Sequence, residues 1–483
     1  MFHGIWESKT GIALQKGYRT IANAMNKAAY SWVFILLVSA MALYANIYAA
    51  ELPVYTAYIV FAISICLFCR DLLPIMPMVI CSYIAPSIVN NPGRNPESIF
   101  FPQYGGYFLI AIAALFVAVL LVRLIIDKEI GFLTMFKIKR KLIWGIVVLG
   151  VAYLISGIGA EGYEERMTKN LFFAFLQFVS LALMYFVFAG GVKWENAPKW
   201  YLPAIGVAAG FVLIGELLHV YNTQAVLVDG VIDRVRIYTG WGMYNNIGGM
   251  LIMVLPFPFY FACKRKVGWL GLLTGTLFML SIGLTSSRGS ILTGLLVYGL
   301  CIIITLIFSE NRKETFLYVA VIVGVAAFAI YWHWDTITKL LTVILEKGLE
   351  TSRTDIFKAG IEQFHRYPVV GGGFYPVDFV PWDFSEVGAF SDFFPPRWHN
   401  TVVQLLACCG VVGLAAYVFH CGQVAWVLLK KVSLLKMVVL LSVMALMVSS
   451  MLDCHFFNIG PVLVYSMALA VAEFTPCEKK TES

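Results

Sequence analysis

Long apolar runs dominate the chain, each close to the length of about 20 residues that crosses a bilayer as a helix. They fall near residues 30–50, 53–69, 72–90, 105–126, 141–160, 170–191, 200–220, 245–262, 267–284, 289–308, 316–333, 400–429, 434–452 and 455–474. Short polar stretches separate them. The pattern predicts an all-α polytopic integral membrane protein of about 12–14 transmembrane helices, forming a single domain over residues 1–483. The run at 72–90 holds Pro74, Pro77 and Pro86 and is expected to be kinked or re-entrant. The first 29 residues carry Lys9, Lys16, Arg19 and Lys27 without a cleavable signal. They read as a basic cytoplasmic arm that forms an interfacial helix.

The polar stretches fix an orientation. With the N-terminus inside, the inside loops are "RLIIDKEIGFLTMFKIKRK", "VKWENAPK", "CKRK", "SENRKE", "KK" and the tail "EKKTES", nearly all net basic. The outside loops, such as "EGYEERMTK" and "YNTQAVLVDGVIDRVRIYTGWGM", are mixed or acidic apart from the short "TSSR". This is the asymmetry that orients membrane proteins. Residues 334–398 form one connection of about 65 residues, far beyond ordinary loop length and expected to be functional. It is predicted to be extracytoplasmic. Within it, "TSRTDIFKAGIEQFHRYP" (351–368) is an amphipathic helix that Thr351 or Ser352 caps and that Pro368 and "GGGF" end.

Composition agrees. Of 483 residues, 60% are hydrophobic and only 13% charged, against about 25% charged in soluble domains. Mean hydropathy is +0.81. The net charge of +7 comes from short basic clusters between apolar runs, which excludes a nucleic-acid-binding surface. Most of the ten cysteines lie inside apolar runs. "CLFC" (66–69) has redox or zinc spacing, but in a spanning helix these are small apolar fillers, and no disulfide framework is implied.

Several polar residues then gather on the outer side. Arg288 stands at the outer end of a span in "LTSSRGSIL", Arg353 opens the loop helix, and Arg397, Trp398, His399 and Asn400 stand where the loop re-enters the membrane. An arginine at the edge of hydrocarbon needs a partner. Guanidinium matches phosphate oxygens bidentately, so several arginines at one face suit an anionic lipid head such as a polyprenyl pyrophosphate. Snorkelling to ordinary lipid phosphates is the plainer role for any one of them. His399 carries an imidazole, a side chain that suits a general base, with Asn400 to orient it or a substrate. A simple polar helix cap is the competing role for His399. Asp453 and His455, in "MLDCHFF", lie on the same side, and His219 reads as structural. The loop's Phe374, Tyr375, Asp378, Trp382, Asp383, Glu386, Asp392 and Trp398 suit sugar rings and hydroxyls, or an interfacial belt. Their spacing fits no metal loop, so no metal and no cofactor is predicted.

In this order these residues resemble the bacterial O-antigen ligase and polymerase superfamily. "YTGWGMYNNIGGML" (238–251), with Asn246, is similar to its glycine-then-asparagine segment at a helix start. "SSRGSIL" (286–292) is similar to its Arg-x-x-x-Leu motif, as Arg288 to Leu292. "SRTDIFKAGIEQFHRYPVVGGGF" (352–374) is similar to its loop segment. "HNTVVQLLACCGVVGLAAY" (399–417) is similar to its His-Asn start and Gly-x-x-Gly helix, through Gly410 and Gly413. The resemblance implies a GT-C-like membrane enzyme that moves a glycan from undecaprenyl pyrophosphate to an acceptor glycan or glycolipid outside the cytoplasm. The transfer would invert the anomeric centre and need no metal. Arg288, Arg353 and Arg397 would hold the pyrophosphate. His399 would activate the acceptor hydroxyl. Asn246, Asn400, Trp398 and Asp453 would position donor or acceptor. The setting implied is the inner or plasma membrane, with membrane lipid and a chain-length regulator as further partners.

A polymerase joining repeat units is favoured over a ligase moving a finished glycan once, because the aromatic and acidic loop suits a growing chain. A lipid-linked oligosaccharide flippase is the transporter alternative; such proteins usually show two similar halves, and none is visible here. A polymerase of the shape, elongation and division class would place an essential carboxylate in the large loop, for which Asp378, Asp383 and Asp392 are candidates.

Overall fold

The computed structural model describes residues 9–90, 141–228, 231–332, 353–375 and 397–475, with single positions elsewhere. The expected span at 105–126 and the loop residues Asp378, Trp382, Asp383, Glu386 and Asp392 lie outside the described residues, as do the expected caps Thr351 and Ser352.

The chain is an all-α polytopic membrane protein. In order the helices are α1 (Lys9–Ala29), α2 (Trp32–Tyr48), α3 (Glu51–Phe68), α4 (Met76–Ile84), α5 (Ile143–Leu154), α6 (Tyr163–Gly191), α7 (Tyr201–Thr223), α8 (Tyr244–Val254), α9 (Phe257–Ala262), α10 (Gly268–Leu284), α11 (Arg288–Phe308), α12 (Arg312–Trp332), α13 (Arg353–Arg366), α14 (Thr401–Lys430), α15 (Leu434–Asp453) and α16 (Ile459–Phe474). A two-residue hairpin, β1 (Leu227–Val228) with β2 (Val231–Ile232), interrupts them. Every apolar run read from the sequence, apart from 105–126, has a helix at its place. Among the described residues seven are long and apolar enough to cross a membrane alone, counting α8 and α9 as one.

Some runs break where the backbone chemistry requires it. The run at 72–90 yields only the short α4 behind a 3-10 turn at Leu73–Ile75, because Pro74 and Pro77 withhold amide protons. α5 is 12 residues long, about 18 Å at 1.5 Å per residue, and ends before Gly157 and Gly159, which hold φ of +81° and +82°. Pro256 separates α8 from α9. The amphipathic α1 meets α2 at 67°, the bend expected where an interfacial helix turns into the bilayer. Side-chain caps start α2, α11 and α15: Ser31, Ser287 and Ser433 accept from Phe34, Ser290 and Lys436 amides respectively. Cys66 and Cys69 are buried and unbridged.

The fold divides into two compact units. One comprises residues 1–140, 183–247 and 466–483. There α7 packs on α2, with Gly215 against the Leu43 side chain, and α2 packs on α4. α1 is tied to the end of α3 by Tyr18, whose hydroxyl donates to the Leu67 carbonyl at 2.6 Å. A fully buried Glu216 on α7 accepts from the indole of Trp241 at 2.8 Å, anchoring the segment before α8.

The other unit comprises residues 141–182 and 248–465. α14 packs against α5, α13 and α15; α15 packs against α11; and α9 packs against α10. α14 is broken inside: Gly410 has φ +62° and ψ −159°, a conformation open only to glycine. The segment after α13 fills the break. The amides of Gly372 and Gly373 donate to the Ala407 and Cys408 carbonyls at 2.9 and 3.0 Å, and those of Val411 and Val412 donate to the Pro368 and Val369 carbonyls at 2.9 and 3.1 Å. Gln363 adds a side-chain bond to the Ala407 carbonyl at 2.9 Å. Non-helical backbone inside a membrane helix persists only where protein satisfies it, and here the Pro368–Gly373 strap does so. The strap also ties α13, which Arg353 opens, to the helix that follows His399.

Candidate active site

The chain enters α14 through a strained turn. His399 has φ +49°, a left-handed conformation that costs a non-glycine residue about 1–3 kcal/mol. Asn400 then caps α14, its Oδ1 accepting from the Val402 and Val403 amides at 2.8 and 3.1 Å. The Nδ2 of Asn400 donates to the Met451 carbonyl at 2.8 Å. One asparagine thus serves the start of α14 and the end of α15, satisfying groups that each helix leaves open. It also brings the two ends side by side.

That juxtaposition makes the central pair. Nδ1 of His399 lies 2.8 Å from Oδ1 of Asp453, the last residue of α15, with the two side chains 34% and 19% exposed. An ionised carboxylate there would accept a proton from Nδ1, which leaves Nε2 as the acceptor nitrogen. Cys454, next to Asp453, also has a positive φ, +25°, and so does Ser286 at +52°, before α11. Non-glycine strain of this kind collects at functional sites because it must be held by its surroundings.

Arg288 opens α11 behind the Ser287 cap. It is half-buried and makes no hydrogen bond or ion pair with any described residue. Gly289 beside it packs on Leu452, one residue before Asp453; an added Cβ would stand 3.2 Å from the Leu452 Cβ. The first turn of α11 therefore lies at the same end of this unit as the His399–Asp453 pair. The helix N-terminus adds a partial positive charge to the guanidinium there. His455 is buried against Gly249, where an added Cβ would stand 2.8 Å from the imidazole.

The other expected site residues take varied places. Arg397 donates through Nη1 to the Phe457 carbonyl at 2.8 Å, which also accepts from Gln177 at 2.8 Å. Trp398 is 1% exposed and packs under α13, where Gly360 gives it room. The α13 backbone thereby brings Arg353 to the unit that holds His399; the Arg353 side chain lies outside the described residues. Asn246 belongs to the first unit, where its Oδ1 accepts from the Met243 amide at 3.2 Å at the start of α8. Among the described residues no group of three or more His, Cys, Asp or Glu could hold a metal ion.

Gln404 escaped the sequence reading. It is a buried amide one turn into an apolar helix, and a polar side chain in such a place is itself a signal.

Seven helices long and apolar enough to cross a membrane among the described residues define a polytopic membrane protein. Residues 250–418, about a third of the chain, match the protein family described as O-antigen ligase. The match spans Arg288, Arg353 and Arg397 to Asn400, whereas Asn246 and Asp453 fall outside it. A comparison with curated proteins gave no match.

Proposed function

We propose that the protein is a polysaccharide polymerase that transfers glycan from an undecaprenyl-pyrophosphate donor to the hydroxyl of an acceptor sugar on the extracytoplasmic face of the plasma or inner membrane. The observation that carries this is the His399–Asp453 pair at the end of the unit where Arg288 opens α11. The acceptor oxygen attacks the anomeric carbon, its proton passes to Nε2 of His399, and the carbon–oxygen bond to pyrophosphate breaks, releasing undecaprenyl pyrophosphate. Attack from the face opposite the leaving group inverts the centre. Asp453 fixes the tautomer of His399 and stabilises the imidazolium that forms.

In this scheme Arg288, Arg353 and Arg397 hold the pyrophosphate as charge grows on it. Fixed cations that strengthen their hold as that charge develops accelerate the step. No metal is required in this scheme. The alternation of basic and acidic loops supports the outward orientation, and the aromatic and acidic composition of 334–398 supports a polymer-gripping role.

The test uses the purified protein in liposomes with the lipid-linked repeat unit of its host, beside His399→Ala and Arg288→Ala, with products resolved by length. A ladder from the wild type that persists in EDTA and vanishes in both variants is expected. A single product, appearing only with a second acceptor lipid, would mark a ligase with the same site. Lipid-linked units that cross the bilayer unchanged, indifferent to His399, would overturn the enzyme in favour of a flippase.

A further inference from the structure

Two strained residues carry the central pair's geometry, and a single buried amide touches both sides of it. Gln404 is 1% exposed, one turn into α14, with its backbone amide on the Asn400 carbonyl at 2.8 Å. Its Oε1 accepts from the Trp398 backbone amide at 2.9 Å, immediately before His399. The same oxygen accepts from the Cys454 thiol at 3.5 Å, immediately after Asp453. Its Nε2 donates to the Cys408 sulfur at 3.3 Å, which fixes the direction the amide faces.

A left-handed His399 and a left-handed Cys454 would each relax if their neighbours allowed it. The Gln404 oxygen holds the residue before one and the side chain of the other. We propose that Gln404 is the positioning residue of the His399–Asp453 pair, fixing both strained turns so that the imidazole keeps its carboxylate partner and its reactive direction. Gln404 makes no contact with the reacting atoms in this scheme. Its role rests on His399 acting as the base.

Two substitutions separate the role from simple support. Gln404→Met keeps length and volume but removes the amide oxygen and its N–H donor. Gln404→Glu keeps an oxygen in place for Trp398 and Cys454. Both are compared with wild type, Asp453→Asn and His399→Ala in liposomes, using polyprenyl-pyrophosphate-linked glycan extracted from the host. Rates are normalised to the folded fraction by gel filtration and thermal melting.

The expected result is a fall in kcat of about 10- to 100-fold for Gln404→Met, the range for a reactive group displaced by about 1 Å, with KM within about twofold because ground-state binding is untouched. Gln404→Glu recovers most of the loss. In the Asp453→Asn background Gln404→Met costs little more, since residues acting through one pair are not additive. Should Gln404→Met prove too unstable, Cys454→Ala removes one of the two arms alone, and a kcat loss of about threefold or more is expected from the same displacement.

Wild-type kcat in Gln404→Met, a loss explained wholly by less folded protein, or equal losses in both backgrounds would overturn the proposal. If His399→Ala is inactive while Gln404→Met is fully active, only the positioning role falls. If His399→Ala is as active as wild type, the base assignment falls first and the role of Gln404 with it.

Discussion

Replacing Gly410 by alanine tests whether the break in α14 holds the site together. Gly410 sits at φ +62° and ψ −159°, where a side chain is strained whatever the space, at about 1–3 kcal/mol. Space is also lacking. An alanine Cβ would stand 2.3 Å from the Val369 carbonyl oxygen, 2.5 Å from its carbon and 2.7 Å from the Gly371 nitrogen, all backbone atoms. The strap must withdraw, releasing at least the bonds from Val411 to Pro368 and from Val412 to Val369. Each buried bond lost contributes about 1 kcal/mol net, more if its group stays unsatisfied. The sum is about 3–6 kcal/mol. It falls on a segment that ties α13 to α14.

The assay is thermal melting in detergent, with transfer activity measured below the melting point. Gly422→Ala is the control, on the same helix with nothing within 4 Å of an added Cβ. Gly410→Ala should melt clearly lower and lose transfer even where folded, because α13 is no longer held against α14. Gly422→Ala should do neither. Wild-type melting and activity in Gly410→Ala would refute the strap as a structural clamp.

Asp453→Asn should lower kcat by about 100-fold or more while leaving the fold intact, since the amide no longer enforces the Nδ1–H tautomer; the liposome assay reads it. Asn400→Ala should destabilise the protein by about 1 kcal/mol for the lost cap, with a further loss from the stranded Met451 carbonyl, both read as a lower melting temperature; a melting temperature equal to wild type would sink this account of the cap. Burial pushes the Cys454 thiol up from its ordinary value, so the reactive thiolate is scarce at pH 8 and maleimide should label Cys454 only after denaturation, as mass spectrometry of the peptide would show.

Much of this was legible in the sequence by itself. Apolar runs of bilayer length determined the helices, because lipid forbids unpaired backbone and leaves few alternatives to a helix. Local chemistry determined where they start and stop: Ser287 before Arg288, Asn400 before Thr401, and the prolines before α4 and α9. His399, Asn400 and Asp453 stood out as polar residues at the mouths of apolar runs.

What the sequence did not determine is who meets whom. His399 and Asp453 are 54 positions apart, and only the antiparallel packing of α14 on α15 sets them 2.8 Å from each other. Gly410 read as part of a helix; it became a break because a distant strap offered four backbone bonds in exchange. Gln404 drew no reading from the sequence. Its partners, one just before His399 and one just after Asp453, exist only once both turns have folded around it. Backbone hydrogen bonding and hydropathy are local and so can be read in order, whereas the pairing of strained turns depends on contacts between segments that meet only in the tertiary structure.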